Sequence, residues 1–118
     1  MIDLFRLAVR EAHKSTHLFR LGAVLYRHGK AISFGHNECG CHNSRKGRKW
    51  EDSIHAEESA IRGCINPKGT TLVVARINWK GELRMARPCK HCLSFIYEVG
   101  IKRVMYSINE HEYGVIYV

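Results

Sequence analysis

Two short stretches constrain this chain more than anything else in it. They are Ile54-His55-Ala56-Glu57-Glu58 and, about thirty residues downstream, Arg87-Pro88-Cys89-Lys90-His91-Cys92. Together they offer an imidazole from His55 and thiolates from Cys89 and Cys92, the donor types that zinc takes in tetrahedral geometry. The ligand count is three. A structural site calls for a fourth protein ligand, whereas a catalytic site leaves that corner to water. Glu57, two residues from the histidine, is then free to handle the water's protons. Any fold this chain adopts must bring these two distant stretches to one point.

The spacing fits two helix starts. Pro88 suits the first turn of a helix, where a missing N–H costs nothing. Cys89 and Cys92, three residues apart, then share a face, and the positive end of the helix dipole favours thiolate over thiol. Residues at i and i+2 point apart in a regular helix. His55 and Glu57 therefore converge only if His55 sits at an irregular helix mouth, for which Asp52 and Ser53 are candidate caps. Two thiolates would neutralise Zn²⁺, leaving a bound water with a pKa of about 7.

Either half alone has an ordinary reading. Cys-x-x-Cys is a redox pair or half of a structural zinc knuckle, and His-Ala-Glu is a surface helix start. The joint pattern, His55-Ala56-Glu57 followed by Pro88-Cys89-x-x-Cys92, resembles the cytidine and deoxycytidylate deaminase superfamily of zinc-dependent nucleobase deaminases. The resemblance runs from Leu21 to Ser107. Gly22-Ala23-Val24 is similar to the family's first strand, Gly35-His36-Asn37 to the Gly-x-Asn after its second, and Gly100-Ile101-Lys102-Arg103-Val104 to the approach to a later strand. The resemblance implies hydrolytic deamination of cytosine to uracil in a nucleoside or nucleotide. In that scheme zinc-bound hydroxide attacks the amino-bearing carbon and Glu57 shuttles protons. It also implies that Asn37 binds the sugar or base, and that Ala23 and Ala56 make backbone contacts to the base. Asn37 reads equally as a turn asparagine. The zinc motif is specific for the superfamily and not for the substrate.

At 118 residues the chain is expected to form one domain, residues 1–118. No apolar run approaches the ~20 residues of a membrane helix and no signal peptide is recognisable, so no membrane partner is expected. Five cysteines, an odd number with two wanted by zinc, argue for a reducing, cytoplasmic compartment. The net charge of +8 favours anionic partners, either nucleotide phosphates or a polynucleotide backbone, over a merely solvated surface only weakly.

Apolar spacing predicts an amphipathic helix over 2–17, with Ile2, Phe5, Val9 and Ala12 on one face. A hairpin follows: strand 21–27, a turn at His28-Gly29-Lys30, and strand 31–36. The first zinc helix is expected over 53–62, a buried central strand over 70–76, a short extension over 82–85, and the second zinc helix over 89–99, closed by Gly100. Cys64 reads as a small buried apolar residue, and His91 as pointing outward. Strands at 103–107 and 113–118 are separated by five residues, too few for a crossover helix, so they should pair antiparallel. The expected architecture is a three-layer α/β/α cytidine deaminase-like fold. Its five-stranded mixed sheet carries the zinc helices on one face and the first helix on the other.

The polar stretch 38–50 carries two further expectations. His36, Cys39, Cys41 and His42 are a candidate second zinc site, although Cys-x-Cys-His is not a usual ligand spacing. Arg45, Lys46, Arg48 and Lys49 beside Trp50 match the pairing of phosphate neutralisation with base stacking, and equally a solvated loop. Three functions thus remain open. They are deamination of a free nucleoside or nucleotide, deamination of cytosine in single-stranded DNA or RNA, and a non-catalytic zinc-stabilised nucleic-acid-binding module. The last has no use for Glu57. A homo-oligomer is left open.

Overall fold

The computed structural model describes residues 2–16, 19–38 and 55–118. The elements are α1 (Ile2–Ala12), β1 (Arg20–Arg27), β2 (Lys30–His36), α2 (Ala56–Arg62), β3 (Thr71–Ile77), β4 (Leu83–Arg84), α3 (Lys90–Glu98), β5 (Arg103–Ser107) and β6 (Tyr113–Tyr117). The sheet runs β2-β1-β3-β5-β6, and the two-residue β4 pairs with the far end of β3. β3 and β5 are parallel and every other pairing is antiparallel, including β5 with β6. The last two strands therefore form the expected hairpin.

Strand periodicity divides the core into two layers. Ala23, Leu25, Leu72, Val74 and Val104 face α2 and α3, where they meet Ala60, Ile61 and Ile96. Val24, Val73, Ala75 and Ile77 face the other way, onto Phe5, Ala8 and Ala12 of α1. β3 is covered on both faces, and Thr71 to Ala75 are all buried. A continuous run of small branched residues suits such a strand.

Two glycines set the distance of a helix from the sheet. A Cβ on Gly22 would run into Ala8 O and Ala12 N of α1; one on Gly35 would run into Ala60 N and Ala56 O of α2. Ser33, two residues before Gly35, donates to Ala60 O at 2.5 Å. Backbone-to-backbone contact thus fixes α2 on β2. α3 ends in paired bonds, Gly100 N to Tyr97 O and Ile101 N to Ile96 O. Ile101, brought back by that cap, is buried with Ile96 in one cluster.

Three boundaries differ from expectation. α1 stops at Ala12 rather than at residue 17, because the Ser15 hydroxyl is committed elsewhere, 2.8 Å from Asn37 O and 2.6 Å from Asn37 Oδ1. The β1–β2 turn is only His28-Gly29, both at positive φ (51° and 77°), a two-residue form whose twist matches its strands. Pro88 lies outside α3, before the N-cap Cys89.

Gly35→Ala should cost about 1–3 kcal/mol or more, since helix backbone rather than a flexible side chain must yield. It should also lower metal occupancy, because α2 carries His55 and Glu57. Urea unfolding and metal analysis on the same sample check both; Gly22→Ala should show the stability loss with the smaller effect on metal.

Candidate metal centre

Each candidate ligand sits at a helix mouth. His55 is the N-cap of α2, with extended φ/ψ of −79° and 148°. That non-helical backbone lets a residue two before Glu57 share its site, which a regular helix forbids. Cys89 is the N-cap of α3 (φ −72°, ψ 169°), and Cys92 follows one turn later. Leu93 N bonds Cys89 O at 2.9 Å, closing the first turn between them. The segment leading to Cys89 is pinned by Ser107 at the end of β5. Ser107 O accepts from Ala86 N at 2.8 Å, its Oγ donates to Arg84 O at 2.7 Å, and Arg76 N donates to that Oγ at 3.2 Å.

The ligand atoms of His55, Cys89 and Cys92 all lie within 4.8 Å of one another, and Cys92 Sγ is 3.2 Å from His55 Nδ1. Tetrahedral zinc, at 2.0–2.3 Å from its donors, needs donor–donor separations of about 3.6–3.8 Å. The three fit within a small adjustment. They form the one such His/Cys/Asp/Glu cluster among the described residues.

Glu57 stands beside them, 4 % exposed. Burial raises its pKa above the ordinary carboxyl value; its own N–H, the His55 charge and a hydrogen bond with Cys92 pull the other way. The Cys92 thiol is raised as well, by burial first and then by the Glu57 and Cys89 charges. Two buried acids thus stand beside His55 with their protons held more tightly than usual, and a divalent cation would favour their release. The donor chemistry asks for a metal.

The rim is polar. Glu58 bonds Arg62 at 3.0 Å and lies 3.9 Å from His91 Nε2. His91 is 76 % exposed at its side chain and sits edge-on to His55 at 6.2 Å, outside the cluster. Arg87, exposed just before Pro88, reaches the Tyr106 hydroxyl at 3.3 Å. Arg87 belongs to the Cys-x-x-Cys stretch itself, whereas nothing in the sequence spacing marks Ser107 or Tyr106 as neighbours of the centre.

The remaining expected site residues fare unequally. Ala56 opens α2 and is buried against the core. Ala23 lies in mid-sheet, opposite Gly35 on β2 and Val74 on β3. It is fully buried in the core layer that faces α2 and α3. Asn37 is buried, and its amide is largely spent inside the fold. Oδ1 accepts from Leu21 N at 2.9 Å and from Ser15, and Nδ2 donates to Phe19 O at 2.5 Å. One N–H is left for a ligand, and the turn-anchoring role is the one its geometry displays. His36 lies between Glu11 (3.5 Å) and Glu38 (3.3 Å). Cys39, Cys41, His42, Arg45, Lys46, Arg48, Lys49, Trp50, Asp52 and Ser53 lie outside the described residues.

A mixed sheet thus carries two helix mouths that present His and Cys-x-x-Cys to one point. The chain belongs to the family described as the cytidine and deoxycytidylate deaminase zinc-binding region, whose sequence model matches residues 2–108. Zinc is accordingly its cofactor. No curated protein sequence matches the chain. Among solved structures it is similar to a cytidine deaminase from Burkholderia pseudomallei. The identity is 18 %, the TM-score 0.74, and the match covers 98 % of this chain and 90 % of that one. It is also similar to the dCMP deaminase of cyanophage S-TIM5 in complex with dCMP and dUMP, at 18 % identity and TM-score 0.59, over 90 % and 82 % of the two chains. A third likeness is to a diaminohydroxyphosphoribosylaminopyrimidine deaminase/reductase from Thermotoga maritima. There the identity is 22 % and the TM-score 0.58, over 88 % of this chain and 28 % of that one. At these identities the likeness establishes the fold.

Purified protein should contain about one zinc, and chelation should lower its melting temperature strongly, since Cys/His sites contribute roughly 10–16 kcal/mol in small domains. Cys92→Ser should abolish zinc retention and His91→Ala should not; metal analysis of both variants separates ligand from rim. The metal-free protein allows a pH test. Because the folded pKa of Glu57 is raised, stability present below its unfolded value of about 4 is lost as pH rises through the folded one. Metal-free Glu57→Gln should therefore melt higher than metal-free wild type at pH 7, with the gap closing toward pH 4.

Proposed function

We propose that this protein catalyses hydrolytic deamination of cytosine to uracil in a nucleoside or nucleotide. The observation that carries the reading is the convergence of three metal donors with one buried carboxylate. His55, Cys89 and Cys92 would hold the zinc, which when bound supplies a water acidic enough to react near neutral pH. Glu57 takes the proton that this water loses, and its burial keeps that proton from solvent. It then delivers protons to the ring nitrogen and to the departing amino group, so that water and cytosine become uracil and ammonia. Ala56 lies beside Glu57 at the start of α2 and would border the base. Within this reading the chain acts as one domain over residues 1–118. Its setting is reducing and cytoplasmic, where Cys64, Cys89 and Cys92 stay free thiols. Among the described residues no helix is long and apolar enough to cross a membrane.

A second reading, cytosine in single-stranded DNA or RNA, is favoured by the +8 charge and by the cations Arg45, Lys46, Arg48 and Lys49 beside Trp50. Replacing those four cations should flatten the salt dependence of oligonucleotide binding under this reading, by about 0.7 for each phosphate no longer neutralised. It should leave nucleoside turnover unchanged under the first. The third reading, a non-catalytic zinc-stabilised nucleic-acid-binding module, leaves a buried Glu57 beside the metal donors without purpose.

The deciding experiment is a deamination panel of cytidine, its nucleotides, single-stranded DNA, RNA and the adenosine counterparts, read by mass. Glu57→Gln should keep zinc and fold while losing about 10²–10⁴ or more in rate. Near-full activity in that variant would end the mechanism.

A further inference from the structure

A second concavity lies at the other end of the sheet. It measures about 570 Å³ and is formed by Leu4 of α1, the β1–β2 turn, the segment entering β3 and the segment entering β5. Four cationic side chains line it: Arg27, Lys68, Lys102 and Arg103, with His28 beside them. None of its lining residues is acidic. Among the described residues, none of the four cations forms an ion pair with a carboxylate.

Its position is independent of the metal centre. Thr71 and Arg103, paired across the parallel β3–β5 ladder, open their strands at this end. The metal helices start at the opposite end: α2 begins against Gly35 near the close of β2, and Cys89 follows β4, which pairs with Arg76 and Ile77. The six steps from Thr71 to Ile77 span roughly 20 Å at about 3.3 Å per residue. The face differs too, since Leu4, Tyr26 and Met105 of the cavity pack with the α1 layer.

Two of the cations are held in place. Arg27 Nη2 donates to the Asn66 carbonyl, and Arg103 Nη2 donates to Thr71 Oγ1 at 3.3 Å. Arg103 Nε, by contrast, is buried with no hydrogen-bond acceptor in the protein, the one such side-chain atom among the described residues. Two guanidinium groups and two lysines around one hollow with no carboxylate in its lining suit a compact oxyanion, and the size suits a small molecule carrying one.

We infer that this cavity is a second binding site, for a phosphate group, carried either by a small phosphorylated molecule or by a nucleic-acid chain. The site needs neither zinc nor Glu57, so it stands or falls apart from the deaminase reading.

The test uses zinc-loaded protein and inorganic pyrophosphate, titrated calorimetrically at low salt, with metal content measured afterwards. Lys68 and Lys102 are exposed and make no structural side-chain bonds among those described. The double variant Lys68→Glu/Lys102→Glu should therefore fold, as judged by its melting temperature. A charge-assisted hydrogen bond is worth about tenfold or more in affinity, so pyrophosphate binding should weaken at least about a hundredfold. The control Arg10→Glu/Lys80→Glu makes the same charge change at exposed positions elsewhere and should retain affinity within about threefold. A short single-stranded oligonucleotide forms the second arm. If it displaces pyrophosphate and is equally sensitive to the Lys68/Lys102 change, the phosphate comes from a chain. If it does not, the ligand is small. No saturable pyrophosphate binding, or equal weakening in both double variants, would overturn the site.

Discussion

The chemistry of this molecule depends on a backbone contact. α2 lies so close to β2 that no side chain fits between Gly35 and the Ala56–Ala60 turn, and Ser33 adds a hydrogen bond to the same helix. His55, immediately before that turn, inherits its position from main chain rather than from rotamers. The Cys89 side is held the same way, through Ser107 and the segment from Arg84 to Ala86. Side-chain donors supported by main chain on both sides lose little further freedom when a metal binds, which is the structural meaning of preorganisation.

That rigidity creates an electrostatic conflict which a cation resolves. Glu57 and Cys92 are both buried, the Glu57 charge makes the Cys92 thiol harder to ionise, and no lysine or arginine relieves either among the described residues. In most cores such a pair would be removed by selection for stability, because buried acids without partners are costly. Under the proposed reaction the same groups that destabilise a metal-free state would serve as ligand and proton carrier once zinc is bound. Stability and the proposed activity would then be coupled through one ion.

The legible part of the structure was the part written locally. The short apolar strand 21–27 and the run 70–76, apolar on both faces, marked a sheet covered on two sides, and five residues between 107 and 113 forbade a crossover, so the layers and the final hairpin could be read directly. The metal donors were legible because Cys-x-x-Cys and His-x-Glu are short-range patterns. What required the structure was anything assembled across the sheet. The motif pointed to Asn37 as a substrate residue, and only the structure shows that its amide also ties Phe19, Leu21 and Ser15 together. The same commitment of Ser15 ended α1 early, against a helical pattern that continued past it. Ser107 is a single small residue in a strand, and only the meeting of β3, β4 and β5 gives its hydroxyl two partners.

The two ends of the sheet obey different rules. At one end lie the carboxyl ends of β3 and β5, the parallel pair, and there loops and helix starts converge to build a site, as in open α/β sheets generally. At the other end the same strands begin, and backbone geometry supplies no comparable focus. A site there must be made from side chains alone. The cations at 27, 68, 102 and 103 are far apart in sequence and adjacent only because β1 and β5 both flank β3. Part of the net charge of +8 is thus concentrated away from the metal centre. A basic composition therefore does not by itself argue that the deaminated base belongs to a polynucleotide. The four cations at 27, 68, 102 and 103 and the metal centre occupy different ends of the sheet, and each has to be assigned a ligand on its own geometry.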